Sequence, residues 1–383
     1  MAQLVSKPYL IIGAGAMGSA AAYHLTRKGF PIVLLEQFEL GHNRGSSHGA
    51  ARIIRHSYSD PYYAHLMVDA FRAWRALEAD SCQSITIKTG GVSFCPREVD
   101  YVARVAAGLA AVGVEHRRLA GSEFSRLVPQ FRLPADFDVV YEPDAGVINA
   151  AVAIRAQMEL ARSRGAEIRA NCPVRSIQPE GDHVIVTTDD LIYKVDRVIL
   201  TLGAWTGALR PKLASLLKPT RQRVLYYQPT VLTNWSIGRF PVFISMGATP
   251  DDAHYGMPAD LGMGVKVAQH WGPEVDPDNV DRLVEDDYRR QLRRFLTNFV
   301  PELAESPVER AEVCLYTVTR DEDFRVDFDP DSPNIIVASP CSGHGFKFSC
   351  LIGEILADLA ILGTTWVDIA RWKFRAEEVK SNN

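Results

Sequence analysis

Apolar and polar positions near the start of the chain predict a strand, a helix and a second strand in succession. Residues 8–12 form a short apolar run, and after a glycine-rich turn the small and apolar residues of 19–28 suit a helix that Gly29 would close. The apolar run 31–35 predicts the next strand. A strand, a crossover helix and a strand within about 30 residues are typical of a parallel βαβ unit.

Helical and strand-like patterns alternate along the rest of the chain. Helical periodicity marks further stretches at 60–79, 150–164, the charged 280–299 and 348–362. Short apolar or alternating runs predict strands at 86–95, 138–141, 174–177 paired with 184–187, 197–200 and 335–338. Between 221 and 313 the pattern becomes rich in strands, around a proline-rich polar patch at 273–278. We therefore expect an α/β protein with a strand-rich second region.

Length, composition and charge are those of a folded chain without a surface for polyanions. The 383 residues exceed what one hydrophobic core usually spans, and 47% of them are hydrophobic. The formal net charge is -4, and the chain has no Lys/Arg run, zinc-finger spacing or RRM signature. We therefore expect no nucleic-acid partner.

Cysteine usage and targeting signals indicate a reducing compartment. The cysteines are scattered without a CxxC pair, which argues against a disulfide framework. The apolar stretch 9–23 is too short for a membrane span and lacks a basic leader, and the tail 380–383 carries no peroxisomal tripeptide. We expect a cytoplasmic monomer without a membrane partner.

The turn after the first predicted strand has the glycine pattern of a dinucleotide-binding fingerprint. It reads Gly13-Ala14-Gly15-Ala16-Met17-Gly18. Gly13 permits a tight turn, Gly15 lets the backbone approach a pyrophosphate, and Gly18 lets helix and strand pack closely. The helix N-terminus then faces the phosphates. Glu36, directly after the second strand, is placed to accept hydrogen bonds from a ribose and disfavours a 2′-phosphate.

Further glycine turns favour FAD over NAD as the dinucleotide. Gly203 follows the predicted strand 197–200, and a third glycine-bearing turn lies at 343–345. An extended FAD needs contacts from several such turns, whereas Gly203 by itself would be an ordinary turn at the end of a strand. The sequence thus predicts a Rossmann-like domain, with FAD as the favoured ligand.

On these and further motifs, the chain resembles the monomeric sarcosine oxidase and N-methyltryptophan oxidase family, within the glycine/D-amino-acid oxidase superfamily. The resemblance covers nearly the whole chain. It is carried by segments 13–18, 45–49 with 52–55, 262–266, 314–317 and 342–348. The last two segments together are the most discriminating.

The resemblance implies an α/β fold in which a Rossmann-like FAD-binding domain is interleaved with a second, α+β substrate domain. The second domain would contain a mixed or antiparallel sheet. We place the FAD-binding domain at 1–85, 145–220 and 314–383, and the substrate domain at 86–144 and 221–313.

The resemblance also implies which residues bind FAD. Besides the glycine turn and Glu36, they are Ser46, Ser47, Arg52, Val174, Gly203, Gly343, Gly345, Phe346 and Lys347. Cys314 matches the position of covalent flavin attachment, where a thiolate adds to the 8α-methyl tautomer of the ring. Without the resemblance, Cys314 would be interpreted as a buried cysteine on a strand.

Substrate and oxygen chemistry are implied for a further set of residues. Arg55 and Lys347 match the cations that bind the substrate carboxylate, and a guanidinium suits both oxygens of that group. Lys266 matches a lysine near flavin N5 that assists electron transfer to O2. Arg52 would lie against the ring, and His270 would belong to the catalytic set. The substrate pocket would be completed by Tyr255, Tyr316 and His48.

The residue patterns alone leave alternatives open at these positions. Lys266, among glycines and apolar residues, could equally be a strand-edge lysine that reaches solvent. His48, Arg52 and Arg55 would share one face of a helical turn, which could be a solvated basic face. Ser47 stands where the family often has a second histidine, and 339–341 also departs from the family pattern. These departures leave the shape of the pocket open.

The implied reaction is oxidation of a small amino acid that bears a secondary amine, such as sarcosine or another N-methyl-L-amino acid. A hydride passes to flavin N5, the imine hydrolyses and O2 is reduced to H2O2. Alternatives within the family are oxidases of cyclic imino acids or fructosyl amino acids, and a dehydrogenase that does not use O2. From another class, a non-catalytic dinucleotide-binding subunit would have no need for Cys314, Lys266 and Lys347 together.

Overall fold

The structure, a computed structural model, describes residues 3–259, 263–375 and 378; Gly262 of one motif and the tail 379–383 lie outside the described residues. The strands are β1 (Gln3–Ile12), β2 (Ile32–Leu35), β3 (Ala51–Ile54), β4 (Thr86–Lys88), β5 (Gly91–Pro96), β6 (Arg117–Ala120), β7 (Phe137–Glu142), β8 (Gly146–Asn149), β9 (Glu167–Arg169), β10 (Val174–Glu180), β11 (His183–Thr188), β12 (Leu191–Leu200), β13 (Lys218–Tyr227), β14 (Val242–Ser245), β15 (His254–Met257), β16 (Val265–Gln269), β17 (Val308–Val318), β18 (Arg325–Asp329) and β19 (Ser332–Ser339). The α-helices are α1 (Ala16–Arg27), α2 (Pro61–Ser81), α3 (Tyr101–Ala111), α4 (Gly121–Leu127), α5 (Ala150–Ser163), α6 (Thr206–Leu209), α7 (Asp286–Phe299), α8 (Pro301–Ala304) and α9 (Ser349–Leu362).

The predicted βαβ unit at the amino terminus is confirmed. β1 pairs with β2 in parallel, and α1 connects them. Gly29 follows the helix with a φ of 86°, a conformation that side chains rarely adopt. β1 begins earlier than the apolar run predicts, since residues 3–7 pair with 191–195 of β12. That pairing uses backbone hydrogen bonds, which require no apolar side chains.

The first large sheet has the order β10-β11-β12-β1-β2-β9, with β19 beside β12 and β18 beside β19. β9, β2, β1, β12 and β19 run parallel to their neighbours in this set. Because side chains alternate along a strand, Ile11 packs in a core with α1, α2, α5 and α9, while Leu10 and Ile12 pack in a separate core on the other face. The carboxyl ends of the parallel strands meet at one edge, where ligands bind in such sheets.

The second large sheet has the order β17-β13-β16-β15-β14-β5-β7-β6 and is antiparallel except between β14 and β5. Tyr288, Leu292 and Phe295 of α7 pack into its core. A small antiparallel sheet, β3-β8-β4, completes the topology of the described residues. The predicted α/β class with a second mixed sheet is confirmed, whereas the domain boundaries stay a prediction. No helix in the described part of the chain has both the length and the apolar character needed to cross a membrane.

The predicted strand 86–95 is divided into β4 and β5. Gly90, between them, has a φ of 71°, and a Cβ there would lie 2.3 Å from the Tyr141 hydroxyl. The glycine therefore lets the chain leave the small sheet and enter the second large one.

Residues 276–285, here called the strap, are not part of a helix, although the sequence predicted one over 280–299. The Arg221 side chain donates hydrogen bonds to the carbonyl of Asp281, at 2.7 Å, and to that of Leu283, and it pairs with Glu285. These bonds hold the strap in a non-helical path, and α7 begins at Asp286.

The strap is tied to distant parts of the chain as well. Arg282 donates to the carbonyls of Val313, at 2.9 Å, and of Arg44, at 2.6 Å. Asp278 accepts from the Trp205 indole nitrogen at 2.7 Å. The strap thus joins the loop after β2, the turn after β12 and strand β17.

The predicted helical turn that would align His48, Arg52 and Arg55 is wrong, because residues 51–54 form strand β3. β3 pairs antiparallel with β8, with Arg52 opposite Ile148. Residues three apart in a strand point to opposite faces. Arg52 and Arg55 therefore reach two different parts of the site.

Candidate active site

A cavity of about 840 Å³ is lined by residues of all three sheets. A volume between about 300 and 1,000 Å³ is typical of ligand sites. Apart from Gly18, all residues that the sequence analysis assigned to cofactor or substrate line it: Gly13, Ala14, Gly15, Ala16, Met17, Glu36, Ser46, Ser47, His48, Arg52, Arg55, Val174, Gly203, Tyr255, Lys266, His270, Cys314, Tyr316, Gly343, Gly345, Phe346 and Lys347. The fold thus brings widely separated parts of the chain into one site.

Gly18 packs against the backbone of the glycine turn, on the side away from the cavity. A Cβ at Gly18 would lie 1.8 Å from the carbonyl oxygen of Gly13. Gly13 itself has a φ of 100°, and its Cβ would lie 2.4 Å from the carbonyl oxygen of Thr201. The Thr201 hydroxyl, after β12, donates to the carbonyls of Ile12 and Gly13. The turn has no room for side chains on this side, so its backbone can face a ligand closely.

Glu36 is buried at the end of β2 and lines the cavity. Its carboxylate accepts from the backbone N–H of Ala14 at 2.8 Å and of Phe38 at 3.1 Å. One oxygen also lies 3.6 Å from Nε2 of His42. Besides facing the place predicted for a ribose, Glu36 therefore fixes the glycine turn against β2.

Arg52 lies at the centre of a cationic cluster beside β17. Its guanidinium donates to the carbonyls of Ser46, at 2.7 Å, and His48, at 2.5 Å. It also lies 5.4 Å from the centre of the Phe346 ring. These bonds hold the loop 46–48 against β3 and keep the positive charge at the cavity wall.

Lys266, Cys314 and Tyr316 share the face of the second sheet that lines the cavity. Cys314 and Tyr316 alternate along β17, and Lys266 lies two strands away on β16. Burial first, and then Arg52, lower the pKa of Lys266 to about 7. Burial raises the pKa of the Cys314 thiol, while Arg52 and Lys266 act to lower it. The thiol therefore lies beside two positive charges that favour its deprotonated form.

Arg55 and Lys347 form a second cationic pair, on the other side of β3. The Nε and Nη1 atoms of Arg55 are buried and have no hydrogen-bond partner among the described residues. Lys347 is 7% exposed and donates to the Tyr58 hydroxyl at 3.2 Å and to the His344 carbonyl at 3.0 Å. Burial and Arg55 hold the pKa of Lys347 well below its usual value. Neither cation pairs with a carboxylate of the described part of the chain, so the pair suits an external anion.

Neutral aromatic side chains surround this pair. The His270 ring lies 6.3 Å from Tyr255 and 5.6 Å from Tyr316, measured between ring centres. Burial, with Lys347 and Arg55, lowers the pKa of His270 to about 4, so the ring is neutral at physiological pH. Gly343, with a φ of 77°, gives these rings room, since a Cβ there would lie 2.5 Å from Tyr316 and 2.7 Å from His270.

His48 lines the cavity beside the Arg52 cluster. Burial, Arg52 and Lys266 lower the pKa of His48 to about 3, and its Nε2 has no hydrogen-bond partner among the described residues. A neutral imidazole with a free nitrogen can donate to or accept from a ligand.

The sequence analysis gave no role to Tyr58 and His344. His344 lies within the quoted segment 342–348, so its place in a motif was the only signal available. Tyr58 follows Arg55 closely but outside any motif. Its part in the site depends on hydrogen bonds to residues far along the chain, which no local pattern indicates.

The geometry fits an extended FAD. At one end of the cavity, glycines clear the backbone of the turn before α1, and the buried carboxylate of Glu36 faces the same space. At the other end, Lys266, Arg52 and Cys314 provide positive charge and a thiol where a flavin ring would lie. Ser47 supports the helix start through a 3.0 Å bond from the backbone N–H of Ala16.

Comparison with known proteins gives the same assignment. Residues 9–359 match the family described as FAD dependent oxidoreductase. Monomeric sarcosine oxidase of Bacillus sp. (strain B-0618) is 34% identical over 380 residues, 97% of each chain. N-methyl-L-tryptophan oxidase of Salmonella arizonae is 31% identical over 371 residues, covering 95% of this chain and 97% of the relative. The solved structure of NikD, an unusual amino acid oxidase essential for nikkomycin biosynthesis, has a TM-score of 0.85 at 25% identity and covers 96% of this chain and 97% of its own.

The chain therefore belongs to the FAD dependent oxidoreductase family, the class that its glycine turn and parallel sheet define. Within that family it is an FAD-dependent amine oxidase, which acts on the CH–NH group of its donors and is similar to monomeric sarcosine oxidase. The resemblance predicted from the sequence is confirmed.

Proposed function

We propose that this oxidase acts on small N-methyl amino acids, sarcosine or other N-methyl-L-amino acids, and releases H2O2. The observation that supports this most is a pair of cations, the buried Lys347 and the half-buried Arg55, which lack a carboxylate partner among the described residues. We call this pair the carboxylate clamp. Charges withdrawn from water are costly without a counter-ion, and a substrate carboxylate would supply it.

The residues proposed to hold FAD lie along the cavity. They are residues 13–17 of the glycine turn, with Gly18 packed behind them, and Glu36, Ser46, Ser47, Arg52, Val174, Gly203, Gly343, Gly345, Phe346 and Lys347. FAD, when bound, supplies the hydride acceptor for the carbon next to the amine nitrogen and the means of passing the electrons to O2. The protein positions the donor and excludes water from it.

Cys314 is the proposed site of covalent attachment. Its thiol faces the cavity among Arg52 and Lys266, which favour the thiolate. A thioether there would form with the loss of one hydrogen from the thiol and one from the flavin methyl group, and O2 would take both up as H2O2. Lys266, on the same face of the sheet, is proposed to stabilise the anion that develops on O2.

The clamp fixes which end of the substrate faces the ring. With the carboxylate on Arg55 and Lys347, the amine lies among the neutral side chains of Tyr255, Tyr316 and His270. These groups offer no strong base, so we expect the amine to react in its neutral form. The rate at which substrate reduces the flavin should rise with pH as the bound amine loses its proton.

A substrate panel with peroxide and O2 readouts tests the proposal. N-methyl amino acids should react, whereas N-methyl alkylamines that lack the carboxylate should react poorly. Cyclic imino acids and fructosyl amino acids belong in the panel, and turnover without O2 consumption would identify a dehydrogenase. Arg55→Ala should raise KM strongly for the acid substrates and little for the amines. Equal turnover of the amines, or an unchanged KM in Arg55→Ala, would remove the basis for the clamp.

A further inference from the structure

The phenol of Tyr58 connects both members of the carboxylate clamp to a histidine outside it. Its oxygen lies 3.2 Å from Nζ of Lys347 and 3.1 Å from Nδ1 of His344. Its ring centre lies 4.6 Å from the guanidinium carbon of Arg55 and 5.6 Å from Nζ of Lys347. Tyr58 and Lys347 are both buried.

The hydrogen bonds of this group can run in one direction only. His344 Nε2 lies 3.1 Å from the carbonyl oxygen of Glu322, which can only accept, so Nε2 carries a proton. Burial first, and then Lys347, hold the pKa of His344 well below its usual value, so the ring is neutral and Nδ1 is an acceptor. The Tyr58 hydroxyl therefore donates to Nδ1 and turns its lone pairs towards Lys347.

This directed chain has two consequences for Lys347. The Glu322 carbonyl, the His344 ring and the Tyr58 hydroxyl each point the negative end of their dipole towards Nζ of Lys347. A chain polarised in this way favours the charged ammonium. Because the chain ends on a backbone carbonyl, it cannot carry the proton away. Of the three N–H groups of an ammonium, one is directed to Tyr58 and one to the His344 carbonyl, which leaves one for a ligand in the cavity.

We propose that Tyr58 and His344 are positioning residues that keep Lys347 protonated and aimed at the substrate carboxylate. The inference rests on the proposed function, because it assumes that Lys347 binds that carboxylate. Neither residue needs to touch the reacting atoms.

Other titratable groups face Lys347 from the elements around it. They are Arg55, directly after β3, and His270, after β16, while Tyr316 on β17 lines the same cavity. Arg55 opposes the charge on Lys347. His270 stays neutral above the pKa of about 4 that burial gives it, and burial raises the pKa of Tyr316 above its usual value. Lys347 is therefore the group of the clamp whose protonation the chain through Tyr58 and His344 can influence.

Acetate binding to the holoenzyme, followed by flavin absorption from about pH 6 to 9, tests this role without turnover. In the wild-type protein, affinity should fall as rising pH deprotonates Lys347. Tyr58→Phe keeps the ring beside both cations but removes the hydroxyl. Its fall in affinity should begin at least about one pH unit lower, which is about threefold weaker binding midway between the two midpoints and about tenfold weaker binding well above both.

Matched variants separate this role from packing. His344→Asn keeps an oxygen near the position of Nδ1 and should retain the wild-type profile, whereas His344→Leu should resemble Tyr58→Phe. Tyr63→Phe is the packing control, because the Tyr63 ring lies 5.4 Å from Tyr58 and 5.0 Å from His344 while its hydroxyl donates to Asp323. Tyr63→Phe should keep the profile.

An unchanged profile in Tyr58→Phe, or an equal shift in Tyr63→Phe, overturns the role of Tyr58. If Tyr58→Phe does not fold, His344→Leu decides, and a wild-type profile in that variant overturns the proposal. Absence of acetate binding by the wild-type holoenzyme overturns the clamp itself and this inference with it. The two failures are therefore distinguishable.

Discussion

The surroundings of Lys266 lower the pKa of its side chain to near neutral pH. Burial and Arg52 lower its pKa to about 7, while Cys314 and Glu312 act in the opposite direction. Its nearest assigned hydrogen-bond partner is the carbonyl of Ala51, at 3.4 Å. The hydrogen bond of Lys266 is long and its pKa is near neutral pH. Its charge is therefore available to a ligand and is not needed to stabilise the fold.

Lys266→Met should slow reoxidation by O2 about a hundredfold or more, because a buried charge that stabilises a developing anion is lost. Reduction of the flavin by substrate should change much less. Stopped-flow absorption measures the two half-reactions separately. Lys194→Met, at an exposed lysine, is the matched control and should leave both unchanged. Normal reoxidation in Lys266→Met would mean that this lysine is structural.

The rate of the O2 half-reaction should also depend on pH around the pKa of Lys266, which is about 7. Lys266 is charged below this value and neutral above it, so reoxidation should slow as pH rises through neutrality. The dependence should disappear in Lys266→Met. Reoxidation rates of the reduced enzyme, measured across this range with both proteins, give the comparison; parallel profiles would contradict the assignment.

Cys314→Ser should release the flavin when the protein is precipitated with acid, whereas the wild-type pellet should stay yellow. Serine keeps the size of the side chain but is a far weaker nucleophile at neutral pH. Cys341 also lines the cavity and supplies a control, because Cys341→Ser should retain the pellet colour. Colourless wild-type pellets would show that the flavin is not covalently bound.

At the scale of elements, the exit from β3 is held by a buried carboxylate. Glu142, at the end of β7, accepts from the backbone N–H groups of His56 and Ser57 and from both of their side chains. The His56 ring stacks on Phe71 at 4.0 Å. This cluster fixes the backbone directly after Arg55 and so sets where the guanidinium enters the cavity.

Glu142→Gln should destabilise the fold by about 2 kcal/mol or more, because an amide cannot accept all these bonds. Burial would raise the pKa of Glu142, but the bonds from His56 and Ser57 outweigh it and lower the pKa below its usual 4.5. Its contribution is therefore complete above that value and is lost as pH falls through the lowered pKa. Urea unfolding at several pH values, with Glu115→Gln as an exposed control, measures both effects. Equal losses in the two variants would contradict the role of Glu142.

Elements were predictable where the pattern that defines them is local. The βαβ unit and helix 348–362 follow from apolar runs with glycine or polar boundaries, and both are present. β3 and the strap were predicted wrongly, because their conformations depend on distant partners. β3 is a strand because β8 pairs with it, and the strap is irregular because Arg221 binds its carbonyls.

At the scale of the whole molecule, the motifs indicated residues that converge on one cavity, whereas the parts of its lining that come from α5 and β14 were not assigned. The site residues were assigned from their places in sequence motifs. The assignments therefore did not depend on predicting each helix or strand correctly. The side chains that support them were not found. Tyr58, His344 and Glu142 act through contacts between segments that are far apart in sequence, and only the folded chain shows these contacts.

The order in which the cavity residues occur along the chain also has a consequence for biosynthesis. The glycine turn leaves the ribosome first, but β19, which pairs with β12, and the thiol and ammonium of Cys314 and Lys347 emerge near the end. The strap can join residue 44 to residue 313 only once both have been made. A nascent chain can therefore expose an early, incomplete nucleotide cradle, but the full cavity lining exists only after residue 347 has been made. A product terminated before that residue would lack part of the site.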